Sequence, residues 1–108
     1  MNLEGKKIEF TRIYQNRLQS DLMEYHFING MHFGFLEDYL DEKYYAIHLE
    51  TGTAAAKIGV MEVLTEKKAF EFLTEKIKEI PPAKFNAGIE KMIITIKELG
   101  FKYPINNI

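Results

Sequence analysis

Asn29-Gly30 sits between two apolar-aromatic runs, Leu22–Ile28 and Met31–Leu36, and no other feature of this sequence restricts the fold so tightly. Both central residues of a type I′ turn need positive φ, which Asn and Gly tolerate best, so the pair predicts a β-hairpin. A two-residue loop then sets Ile28 opposite Met31, Phe27 opposite His32, His26 opposite Phe33, Tyr25 opposite Gly34 and Glu24 opposite Phe35. Side chains alternate across a strand, so one face carries Glu24, His26, Ile28, Met31, Phe33 and Phe35, and the other Met23, Tyr25, Phe27, His32, Gly34 and Leu36. Both faces are apolar. An antiparallel sheet with one solvated side alternates between polar and apolar, so each side of this ribbon needs a cover, from within the chain or from a partner.

At 108 residues the chain makes one domain, residues 1–108. A chain of this mass buries roughly two-thirds of its unfolded surface, enough for a core without staples. The absence of cysteine excludes disulfides and thiolate metal sites and suits the reducing cytoplasm, the compartment expected. Fourteen basic and sixteen acidic side chains are scattered rather than massed, so the basic stripe of a nucleic-acid binder is missing. No stretch approaches the roughly 20 apolar residues of a membrane span, and Asn2–Glu9 is too polar for the core of a signal peptide.

Ile8, Phe10, Arg12 and Tyr14 follow a period of two and suit a strand over Lys6–Tyr14, ended by a polar turn at Gln15-Asn16-Arg17. After the hairpin, Glu37-Asp38-Tyr39-Leu40-Asp41-Glu42 reads as an acidic, solvated turn without the ligand spacing of a calcium loop. Tyr45, Ile47 and Leu49 then alternate with Tyr44, Ala46, His48 and Glu50. A turn at Thr51-Gly52 pairs Glu50 with Thr53, Leu49 with Ala54, Ile47 with Ala56 and Tyr45 with Ile58. The rival reading of the alanine run as a helix is disfavoured by Gly59, Val60 and Val63.

Thr65 is placed as an N-cap for a helix over 66–79, whose stripe is Phe70, Leu73, Ile77 and Ile80. Pro81-Pro82 stops it and opens the next helix. From Ala83 to Leu99 the stripe is Phe85, Ile89, Met92, Ile93, Ile96 and Leu99, with Gly100 set as the left-handed residue after the helix and Phe101 folding back on Ile96. The fold expected is α+β: an antiparallel sheet of about five strands with two C-terminal helices packed on one face.

Little in the chain specifies a chemistry. Ser20 is the lone serine and falls in a polar turn, and no nucleophile elbow or phosphate-binding loop is present. His26 and His32 lie on opposite faces of the hairpin and cannot share an ion, so no metal site and no cofactor is expected. His48 and Glu50 share a face with Tyr44, and Lys57 stands on the neighbouring strand; these four form the candidate ligand-binding or enzymatic surface.

The aromatics lead to a different expectation. Two helices roof one side of a five-stranded sheet, leaving Tyr25, Phe27, Met31, Phe33, Phe35 and Tyr39 as candidate interface residues of the kind that interface cores favour. The leading reading is therefore a small non-catalytic protein-binding module, a homodimer or a partner of a larger protein, in the manner of an adaptor, immunity protein or inhibitor. The alternative is the ligand site around His48.

Overall fold

The computed structural model describes residues 2–63 and 65–108; Met1 and Leu64 lie outside the described residues. Five strands run as an antiparallel meander in chain order: β1 (Lys7–Tyr14), β2 (Arg17–Ile28), β3 (Met31–Asp38), β4 (Lys43–His48) and β5 (Thr53–Gly59). A 3₁₀ turn at Val60–Glu62 leads to α1 (Glu66–Glu79) and α2 (Pro82–Glu98). This is the expected α+β arrangement. Among the described residues no helix is long and apolar enough to cross a membrane.

The central hairpin has the register that the Asn-Gly turn dictates, from Ile28 opposite Met31 out to Glu24 opposite Phe35. Asn29 and Gly30 both have positive φ, at 52° and 78°. A second turn of the same kind, Gln15 and Asn16 at φ 50° and 62°, joins β1 to β2, so β2 begins at Arg17 and is twelve residues long. Ser20 therefore lies inside a strand and not in a turn.

Between β4 and β5 the expected two-residue loop is replaced by a four-residue one. His48 pairs with Thr53, Ile47 with Ala54 and Ala46 with Ala56, leaving Ala55 as a bulge. Gly52 takes the left-handed position at φ 65°, and its N–H donates to the His48 carbonyl at 2.8 Å. The longer loop brings Thr51 beside His48.

α1 is capped by Thr65, whose Oγ1 accepts from the Lys68 N–H at 3.1 Å. It lies over the sheet and buries Ala69, Phe70, Leu73 and Ile77 against Ile28, Phe33, Phe35, Tyr44, Ala46 and Ile58. Each of the larger side chains contributes about 1.5–3 kcal/mol by leaving water. α2 closes as expected, with Gly100 at φ 81° and the Phe101 N–H returning to the Ile96 carbonyl at 3.0 Å. Its apolar stripe is less deeply packed than its periodicity suggests: Ile96 is the one fully buried side chain, and Phe85, Ile89, Met92, Ile93 and Leu99 are half-buried. α1 holds the central position on the sheet, and α2 sits towards the β4–β5 end, with Phe85 edge-on to Phe33 and His48.

The second apolar face is not left bare, which corrects the expectation drawn from counting helices. Met23, Tyr25, Leu36, Ile47 and Leu49 form a second buried cluster, covered by Leu3, Ile8, Phe10 and Tyr45. β2 extends well past its last pair with β3 at Glu24, and this overhang carries β1 across the far face. Arg12, 4% exposed, holds the fold-over in place: its Nε donates to Asp21 and its Nη2 to Asp38, both at 2.7 Å. Gly34 lets the layers meet, since a Cβ there would lie 2.6 Å from the Met23 sulfur. The C-terminal segment completes the roof. Ile105 donates to the Glu50 carbonyl, and the Asn106 side chain bonds both main-chain groups of Thr11 on the outer edge of β1.

Candidate functional site

The candidate interface residues divide sharply. Phe33 and Phe35 are buried beneath α1 and α2, and Tyr25 belongs to the far-side core. These three are accordingly core residues of a single chain, which corrects the expectation: the helices cover Phe33 and Phe35, and the fold-over of β1 covers Tyr25. Met31 is half-buried against the helix-side core. Only Phe27 and Tyr39 remain exposed, at 53% and 81%, the first on β2 and the second in the turn after β3.

The acidic turn after β3 is used internally. Asp38 is buried; its Oδ1 accepts from the N–H groups of Leu40 and Asp41 while its Oδ2 takes Arg12. Burial acts to raise the Asp38 pKa, but the turn amides and the guanidinium outweigh it and hold the carboxyl below its ordinary value. Asp41 accepts from the hydroxyls of Tyr14 and Tyr45, both at 2.8 Å. Burial, followed by the hydrogen bond to Asp41, pushes the Tyr45 phenol up to about 12.

The histidines are separated as the register requires. His26 lies on the helix side, with Nε2 2.6 Å from Glu24 and Nδ1 2.9 Å from Glu4. His32 lies on the far side, bonded to the Tyr25 hydroxyl. No group of three potential ligands that would hold a metal ion occurs among the described residues. A polar hollow between β2 and α1, bordered by Glu24, His26, Lys67, Glu71 and Glu75, has its imidazole already engaged by carboxylates.

The candidate ligand residues are also dispersed. Tyr44 is a core residue edge-on to Phe70. Glu50 accepts from the Tyr103 hydroxyl at 3.0 Å and from Ile105 through its carbonyl, and Lys57 is exposed on β5. His48 alone faces a cleft, one of about 430 Å³ between the β4–β5 loop, the start of β5 and α2. Ala54, Ala55, Ile80, Phe85, Ile89 and Met92 form its apolar walls, and Lys84 and Lys91 border it. Its polar floor is His48, Thr51 and Thr53.

That floor is a chain of hydrogen bonds. His48 Nδ1 lies 2.9 Å from Thr51 Oγ1, which lies 2.8 Å from Thr53 Oγ1. The imidazole is 3% exposed and held edge-on between Phe33 and Phe85, each 5.7 Å away between ring centres. Among the described residues Nε2 has no bond and no inaccessible side-chain polar atom is left unpaired, so Nε2 keeps its access through the cleft that His48 lines. Burial depresses the His48 pKa, opposed by Glu50 and assisted by His32, so the ring is neutral at pH 7. A neutral ring with Nδ1 bonded to a hydroxyl offers Nε2 as a donor or an acceptor, depending on which way the Thr51–Thr53 pair is turned.

Sequence reasoning found His48 but not Thr51, Thr53 or Phe85 as its neighbours. The bulge at Ala55 and the four-residue loop bring the threonines in, and neither has a sequence signature as distinct as Asn-Gly. The chain matches no known family model, no curated protein and no solved structure.

Proposed function

We propose that the protein is a small, non-catalytic ligand-binding domain whose site is the His48 cleft. The ligand class is an apolar body the size of a medium-chain acyl group or a bicyclic ring, ending in one hydrogen-bonding head. One observation carries this reading: a largely buried imidazole, whose accessible Nε2 has no partner among the described residues, lies at the floor of an otherwise apolar cleft. Ligand sites are commonly clefts of ~300–1,000 Å³, apolar with a few convergent polar groups. Lys84 and Lys91 at the border favour an anionic head such as a carboxylate. The one hydroxyl beside the imidazole, Thr51 Oγ1, is itself buried and tied to Thr53, which supports binding over turnover. The lack of cysteine fits a reducing, cytoplasmic setting.

The test is calorimetric titration with decanoate, decanol and decylamine. Decanoate binds best, and His48→Gln weakens it. Gly88 borders the cleft, and a Cβ on it would meet nothing within 4 Å, so Gly88→Leu fills the mouth while improving helix propensity by up to about 1 kcal/mol. Loss of binding with unchanged or higher Tm supports the site. Binding that survives Gly88→Leu places the ligand elsewhere.

The protein-association reading keeps one observation of its own, the open stretch of β2, which is independent of the cleft.

A further inference from the structure

The two outer edges of the sheet are blunted. On β1, the Asn106 side chain bonds Thr11, and the Ile13 N–H donates to the Gly52 carbonyl at 2.7 Å. β5 carries the bulge at Ala55 and an exposed Lys57, both devices that discourage strand pairing. The overhang of β2 has neither protection. Tyr14 and Arg17 flank a two-residue turn and exchange main-chain bonds, so Arg17, Gln19, Asp21 and Met23 bond towards β1. Leu18, Ser20 and Leu22 consequently turn their N–H and C=O groups outward, and β3 reaches back only to Glu24. None of these three N–H groups has a partner among the described residues. The same three residues include two exposed leucines, Leu18 at 49% and Leu22 at 63%.

We propose that this edge pairs with a second copy of the chain, strand against strand, antiparallel about a two-fold axis at Gln19. The sequence Arg17-Leu18-Gln19-Ser20-Asp21 is complementary to itself in that register. Arg17 falls opposite the partner's Asp21, and Asp21 opposite the partner's Arg17. These are non-hydrogen-bonded pairs, the kind in which side chains come closest. Leu18 and Ser20 exchange main-chain bonds with the partner's Ser20 and Leu18, four bonds in all. On the leucine face, Leu18 lies diagonal to the partner's Leu18 and Leu22, making one continuous apolar row. The partner's turn at Gln15-Asn16 then ends opposite Met23 and Leu22, just short of where β3 begins to pair at Glu24. A closed two-fold contact also leaves no further edge to propagate along.

The oligomeric mass is measured by sedimentation velocity at high micromolar concentration, with folding checked by circular dichroism. The expected mass is twice the 12.6 kDa of one chain. Ser20→Pro removes an outward N–H without touching a bond to β1, and weakens the dimer roughly tenfold or more. Arg17→Glu sets like charges opposite each other and dissociates it. The native chain has no cysteine, so Gln19→Cys introduces one thiol per chain at the axis, about 4.5 Å between Cα atoms and within disulfide reach. Mild oxidation links Gln19→Cys chains, whereas Asn86→Cys on the exposed side of α2 stays unlinked. A wild-type monomer overturns the proposal. So does a dimer that tolerates Ser20→Pro while Gln19→Cys crosslinks no faster than Asn86→Cys, since the copies then meet elsewhere.

Discussion

The carboxamide of Asn106 completes the edge of β1 at Thr11: Oδ1 accepts the Thr11 N–H at 2.8 Å, and Nδ2 donates to the Thr11 carbonyl at 2.7 Å. The same Nδ2 donates to the Leu49 carbonyl at 2.8 Å. A single side chain thus acts as a strand would, and ties β1 to the end of β4. Asn106→Ala is expected to cost about 1–3 kcal/mol in urea unfolding, with faster hydrogen exchange at the Thr11 amide. Asn106→Asp costs more, because a carboxylate cannot donate and faces two carbonyls.

Gly34 and Met23 meet where the sheet lies against its roof. A Cβ at position 34 would stand 2.6 Å from the Met23 sulfur and 2.9 Å from its Cβ, so Gly34→Ala forces the layers apart. The expected loss is about 1–3 kcal/mol. Met23→Ala leaves a cavity on its own, yet in the double variant it relieves part of the clash. A double-mutant cycle by chemical denaturation reads that coupling as a sum smaller than its parts.

Arg12 and Asp38 make the buried ion pair that pins the fold-over. Asp38 titrates below its ordinary value of 3.8 when folded, so its contribution is present above the unfolded carboxylate pKa and is lost as pH falls through the folded one. Acid unfolding followed by fluorescence therefore steepens in that range, and Asp38→Asn flattens it. Removing one partner leaves the other charge buried, and Asp38→Asn is expected to cost roughly 3–5 kcal/mol at neutral pH.

His48 gives a second pH dependence with the same sign. Burial depresses its pKa in the fold, so the unfolded chain binds the extra proton first. Stability is full above the ordinary imidazole value of 6.5 and declines as pH drops below it. Tm at pH 7.5 against pH 5.5 should fall in the wild type and fall less in His48→Gln. If a carboxylate ligand occupies the cleft, its addition raises the His48 pKa, readable from the ring proton shifts by NMR.

The features legible in the sequence were those with local causes. Asn29-Gly30 set the register of β2 and β3 residue by residue, and Thr65, Pro81-Pro82 and Gly100 marked the helix ends. What escaped was long-range. Nothing local in Arg17–Leu22 distinguishes an overhanging strand from a turn, because its inward partners are supplied by β1 alone. The covering of Tyr25 depends on Arg12 meeting Asp38, 26 residues away, and the period of two that sets Arg12 in a row with Ile8 and Phe10 does not name that partner. His48 was identifiable as a candidate, but its cleft depends on where α2 lies, and an apolar stripe says which side of a helix packs without saying how deeply.

The roof has a consequence for synthesis. Thr11 leaves the ribosome 95 residues ahead of the Asn106 that closes its edge. Until β3 and β4 follow, the first hairpin is a bare two-stranded ribbon, too small to be stable alone, and Ile8, Phe10 and Met23 lack Leu36, Ile47 and Leu49 to pack against. The outer edge of β1 is therefore made well before it is secured, and it stays open until Asn106 arrives.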